Sequence, residues 1–131
     1  MQLLKSTSEQ NDDLHQRLRA YNRHYMRDFR DFSYHIEEDG RMIAGIVAAS
    51  TFQTVEVEFL FVDEAFRGQG LGSALLRKVE EEARAVGMEH VLLNTYSFQA
   101  PDFYRKMGYA QLFAIDPCLG EYAQHFFWKD L

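Results

Sequence analysis

The run Arg67-Gly68-Gln69-Gly70-Leu71-Gly72-Ser73 sets three glycines on alternate positions, just after a hydrophobic stretch that ends at Val62. Glycine has no Cβ, so successive amide N–H groups can crowd toward one point. Where a helix begins at that point, its dipole adds to the attraction for an anion. The chemistry this suits is the cradling of a phosphate or pyrophosphate, and a phosphate-bearing cofactor is the first expectation. Two common phosphate motifs do not fit. G-x-G-x-x-G would need its third glycine at Ser73, and no Lys-Ser or Lys-Thr pair follows a glycine at P-loop spacing.

Other chemistries find little support. Cys118 is the single cysteine and lies in the turn-like Asp116-Pro117-Cys118-Leu119-Gly120, which excludes an internal disulfide and a paired-cysteine zinc site. His15, His24, His35, His90 and His125 show none of the spacings of a local metal site, so no metal is expected. A net charge of -6, from 14 Lys and Arg against 20 Asp and Glu, argues against nucleic acid and favours cationic acceptors. At 131 residues, 47% hydrophobic and 26% charged, the chain reads as one soluble domain over 1–131. No apolar run approaches the roughly 18 residues of a membrane span. The opening MQLLKSTSEQ has no signal-peptide core. A cytoplasmic protein without membrane partners is expected.

The elements that would hold the glycine turn follow from periodicity. Leu14, Leu18, Tyr21 and Tyr25 form one helical stripe behind a capping box from Ser6 to Glu9, predicting a helix from about Ser8 to the high twenties. Leu3 and Leu4 give a slight signal for a short edge strand. Alternation through Phe32, Tyr34 and Ile36, the Asp39-Gly40 turn and the run Met42 to Ser50 predict a hairpin, followed by a strand from Val55 to Val62. Leu71, Leu75, Val79 and Ala83 line a helix that Gly87 stops, and Val91 to Tyr96 is a strand. The strands ending at Val62 and Tyr96 are therefore expected to be parallel neighbours joined by a right-handed crossover. Pro101 opens a short helix ending near Gly108. Tyr109 to Ile115 and Gln124 to Lys129 are two strands joined through the turn at Pro117 to Gly120. With Phe126, Phe127 and Trp128 in succession, the last strand is apolar on both faces, which fits either a central strand or the contact of a homodimer.

Arg67-Gly68-Gln69-Gly70-Leu71-Gly72 after a short hydrophobic strand resembles the [RQ]-x-x-G-x-[GA] acyl-CoA motif of the GCN5-related N-acetyltransferases (GNAT family). Ala100-Pro101-Asp102-Phe103-Tyr104-Arg105-Lys106-Met107-Gly108-Tyr109 resembles the family's A-x-x-F-Y-x-K-x-G-[FY] segment, the order of elements is similar almost end to end, and the stretch Thr95 to Gly108 resembles small prokaryotic members most. One departure is Ser97, where family members often carry Asn; Asn94 lies nearby on the strand. The resemblance implies a mixed, mostly antiparallel sheet with a splayed parallel strand pair, flanked by helices. It also implies acetyl-CoA as co-substrate.

On that resemblance, the pantetheine arm would lie in the splay and pair with backbone groups of Leu60, Phe61 and Val62. The diphosphate would fall on the amides of Arg67, Gly68, Gln69, Gly70, Leu71, Gly72 and Ser73, with Asn94 and Ser97 as further contacts. An amine of a small molecule or peptide would attack the thioester directly in a ternary complex. An alkylammonium has a pKa near 10.4, so a base must help at neutral pH. Alternation places Glu56, Glu58, Leu60 and Val62 on one face, and Glu58, nearer the expected thioester, is preferred over Glu56. Tyr104 occupies the family position of the acid that protonates the departing thiolate, and a backbone N–H freed by a bulge near Val62 would meet the oxyanion. Tyr21, Tyr25, Phe29, Phe32, Tyr34 and Phe52 give the expected acceptor side, formed by the first helix and the C-terminal strands, an aromatic character. The alternative is an acyl-CoA-binding module that has lost transfer.

Overall fold

The computed structural model describes all 131 residues, and one seven-stranded mixed sheet organises them. In chain order the elements are α1 (Ser8–Asn22), β1 (Arg30–Asp31), β2 (Tyr34–Glu38), β3 (Arg41–Thr51), β4 (Thr54–Val62), α2 (Leu71–Ala85), β5 (His90–Tyr96), α3 (Pro101–Lys106), β6 (Ala110–Leu119) and β7 (Tyr122–Asp130). The sheet runs β1-β3-β4-β5-β7-β6, with β2 also on β3. Only β4 and β5 are parallel, joined through α2 as the predicted crossover. The final strand β7 lies between β5 and β6 and is a central strand, with Phe127 on its core face and Phe126 and Trp128 on the other.

Local chemistry explains the punctuation. Asp39 and Gly40 both have positive φ, 52° and 74°, which suits a two-residue hairpin link between β2 and β3. Thr7 caps α1, its side chain accepting from the Gln10 N–H while the Gln10 side chain accepts from the Thr7 N–H, one residue away from the box predicted at Ser6 and Glu9. α1 stops at Asn22, earlier than expected, and residues around Leu3 and Leu4 form no strand. The last hairpin turns at Gly120-Glu121, so Pro117 and Cys118 belong to β6 and not to the turn.

The core fills one face of the sheet. Leu75, Leu76, Val79 and Ala83 of α2 pack on Val55 and Val57 of β4 and Val91 and Leu93 of β5, and Tyr104, Tyr109 and Phe127 extend the same cluster. A buried polar knot ties this face together. Glu80, 3% exposed, accepts from Tyr109 Oη at 2.8 Å and from Lys129 Nζ at 3.0 and 3.1 Å, and Lys129 also donates to the Met107 carbonyl at 2.7 Å. A buried charge is tolerated only when so paired. α2, the end of α3 and β7 are thereby fixed to one another. The opposite face carries no such layer, and no residue of α1 is buried.

Candidate active site

The site begins with a bulge. Val47 of β3 stands opposite Phe59 and the next residue, Ala48, opposite Val57, so Glu58 is an extra residue on β4. The insertion reverses the alternation beyond it. Val55 and Val57 face the core, and so do Leu60 and Val62, whereas Phe59 and Phe61 are 56% and 59% exposed. The expected common face of Glu56, Glu58, Leu60 and Val62 is thus broken, and the bulge lies at Glu58 instead of near Val62.

The parallel pairing ends at the same level. β4 and β5 match over four residue pairs, the last being Val57 with Leu93, and then diverge. From Glu58 to Val62 the edge of β4 that faces β5 has no strand partner, leaving backbone groups available to a ligand. The gap is a groove of about 900 Å³, lined on one side by Glu58 through Val62, at its mouth by the glycine turn, and on the other by Asn94, Thr95 and Tyr96 with Phe103 and Tyr104.

At the mouth the backbone N–H groups of Gly68 through Ser73 make no hydrogen bond within the chain; the first amide of α2 that does so is Ala74, to the Gly70 carbonyl at 3.0 Å. Gly68 and Gly70 have φ of 78° and 80°, which a side chain would strain, and this is what turns the row outward. Arg67 departs from expectation in two ways. Its N–H is satisfied by the Glu64 carbonyl at 3.3 Å, and its Nε donates to the Val62 carbonyl at 2.9 Å, laying the guanidinium 5.9 Å from the Phe61 ring centroid. Its remaining guanidinium nitrogens stay at the groove, where Arg67 is a lining residue.

Tyr104 is 6% exposed, with its ring edge-on to Phe103 and Tyr109. Burial pushes its pKa up to about 12, so at neutral pH it holds its proton. Its hydroxyl has no partner in the chain, and it is not a sealed atom, since Ser50 Oγ is the only buried side-chain polar atom left unpaired. A protonated, unengaged donor therefore meets the groove. Tyr109, its neighbour, differs: burial and the adjacent Glu80 raise its pKa, and its hydroxyl is committed to that carboxylate.

Of the other candidate residues, Leu60, Phe61, Val62, Gly68, Gly70, Leu71, Gly72, Ser73, Asn94 and Glu58 line the groove. Asn94 Oδ1 accepts from Gln124 Nε2 at 3.2 Å, which orients the amide. Ser97 does not line it: its Oγ accepts from the Ala123 N–H at 3.0 Å and its own N–H donates to the Ala123 carbonyl, stitching β5 to β7. Glu56 sits where β4 is paired on both sides and is outside the groove, and the Gln69 side chain is exposed beyond it, though its amide belongs to the free row. The aromatic residues expected on the acceptor side divide. Phe32 is core, Tyr34 donates its hydroxyl to Glu82 on α2, and Tyr21, Tyr25, Phe29 and Phe52 do not line the groove. Sequence reasoning missed Phe66, Phe98 and Gln99, which do line it; Gln99 Oε1 accepts from the Tyr96 N–H at 3.0 Å and so shapes the turn before α3. Their only signal was position, at the ends of the two splayed strands.

An outward amide row, an open strand edge and a lone protonated hydroxyl in one groove fit a diphosphate, an amide-bearing arm and a leaving sulfur in that order. No cluster of His, Cys, Asp and Glu suited to a metal is present, and no helix is long and apolar enough to cross a membrane. A family model described as the acetyltransferase (GNAT) family matches residues 2–109. A blasticidin-S acetyltransferase of Streptomyces morookaense is 32% identical over 126 residues, covering 92% of this chain and 93% of its own. A crystal structure of an acetyltransferase from Agrobacterium tumefaciens superposes with a TM-score of 0.88 at 28% identity over 100% of both chains. Another from Bacillus cereus gives 0.82 at 29% identity over 100% of this chain and 98% of that one.

Proposed function

This chain belongs to the acetyltransferase (GNAT) family and is an acetyl-CoA-dependent N-acyltransferase, and from that footing we propose that the groove between β4 and β5 is where an acetyl group passes to a primary amine of a small molecule or peptide. The thioester supplies an activated acyl carbon. The residues of this chain would hold it and manage two protons. Amides of Gly68 to Ser73 would take the diphosphate, worth more here because they need not first break internal bonds. The unpaired edge from Glu58 to Val62 would take the arm's amides.

As the amine nitrogen bonds to the acyl carbon and the carbon–sulfur bond breaks, Glu58 accepts the proton lost by nitrogen, directly or through a water. Tyr104 gives its proton to the sulfur. A free thiol has a pKa near 8.5, so a donor at about 12 transfers only as negative charge builds on sulfur, and the assistance is moderate. No covalent intermediate on the protein is needed, in keeping with Cys118 being exposed and outside the groove.

The observation that carries this reading is the Tyr104 hydroxyl, unpartnered and protonated, in the same groove as the free amide row. Thiol release from acetyl-CoA across an amine panel that begins with blasticidin S tests it. Tyr104→Phe should lower kcat about 10²-fold with little change in acetyl-CoA affinity. Tight binding of acetyl-CoA without thiol release for any amine would instead make the chain a binding module.

A further inference from the structure

The chain exposes too much surface. A folded monomer of 15.4 kDa should expose about 7,200 Å², whereas this one exposes 9450 Å². The excess of about 2,250 Å² exceeds the roughly 800 Å² that each partner buries in an ordinary protein interface.

Two apolar surfaces contribute to it, and neither carries a packed layer. One is α1, whose Leu14, Leu18 and Tyr21 are 67%, 54% and 60% exposed along a single stripe, with the Tyr25 ring tilted against that of Tyr21, centroids 5.6 Å apart. The other is the sheet face opposite α2. Register puts Leu92 beside Trp128 there, and Asn94 beside Phe126; Phe126 in turn stacks on Phe113 at 4.5 Å. The bulge turns Phe59 and Phe61 outward onto the same side. A sheet with apolar residues on both faces needs a layer on each, and an amphipathic helix needs a surface.

The connection decides whose helix it is. Arg23 to Met26 form a hydrogen-bonded turn on the end of α1, and the Arg27 carbonyl is held by the Phe52 N–H at 3.4 Å. Only Asp28 and Phe29 separate that tie from β1, so α1 leaves from the β1 side of the sheet, whereas the bare strands β7 and β6 lie at the opposite side. We propose that the protein is a two-fold dimer in which α1 of each copy covers the bare sheet face of the other. Because Phe59, Phe61 and Asn94 border both that face and the groove, the incoming helix also closes the acceptor side of its partner's site. This last step rests on the function proposed above.

The full-length chain should sediment as a dimer at micromolar concentration. Leu14→Asp with Leu18→Asp should give monomers whose KM for the acceptor rises at least tenfold, while acetyl-CoA affinity by calorimetry moves less than twofold. Placement is tested by mixing a Leu18→Cys protein with a Phe59→Cys protein, each also carrying Cys118→Ser, and adding a short bismaleimide; a cross-linked pair is expected. A monomeric parent protein, or linkage only inside a chain that bears both cysteines, overturns the proposal. A dimer that neither binds nor consumes acetyl-CoA leaves the interface standing and overturns the enzymatic reading instead.

Discussion

A phenol whose ionisation is pushed up to about 12 carries its proton throughout the range in which an enzyme is assayed, so Tyr104 contributes no alkaline fall in kcat at ordinary pH. In the proposed reaction Glu58 has the complementary task, accepting the amine's proton. Glu58→Gln should lower kcat about 10²-fold near neutrality, and raising the pH should recover the variant more than the parent, because the amine then arrives already deprotonated. An unchanged kcat would mean that the bulge carboxylate merely faces solvent. Tyr104 and the glycine turn were legible in the sequence, since both lie in motifs with fixed spacing. The separate places of Glu56 and Glu58 were not. Strict alternation assigns them one face, and the single added residue that parts them leaves no trace in composition.

At the scale of elements, the glycine turn divides into positions that need glycine and one that tolerates a side chain. Gly70→Ala forces a Cβ onto a left-handed residue at φ 80°, costing about 1–2 kcal/mol, and should raise the KM for acetyl-CoA about tenfold. At Gly72 an added Cβ meets Phe103 and Val62 side-chain atoms at 3.7 Å, ordinary contact, so Gly72→Ala should change that KM little. α2 has its own pH-dependent tie to β2. Hydrogen bonds from Tyr34 and then Lys78 hold the Glu82 carboxyl below its ordinary value of 4.5. A depressed carboxyl stabilises the fold above that value and loses the contribution as pH falls through the folded-state value. Melting temperatures of Glu82→Gln should therefore decline less than the parent's below pH 4.5. The strands and α2 were readable from periodicity, but the place of α1 was not. Its stripe says that one side seeks apolar cover and is silent on which surface gives it.

For the whole molecule, the crossover rule and six predicted strands carried the topology from sequence to fold with little loss; the two-residue β1 had no periodicity to announce it, and the edge strand expected at Leu3 and Leu4 does not form. What they could not give is how the sheet is divided. Four residue pairs between β4 and β5 are the only rungs joining its two halves, and past Val57 and Leu93 the plates part. The empty protein consequently carries a raw strand margin in its middle, the kind of template on which foreign strands grow. On the function proposed above, the cleft that receives the co-substrate is then a liability whenever the co-substrate runs low. Warmed samples should scatter light sooner without coenzyme A than with it, and by more than the binding energy alone explains, since the ligand both stabilises the fold and blunts the seed.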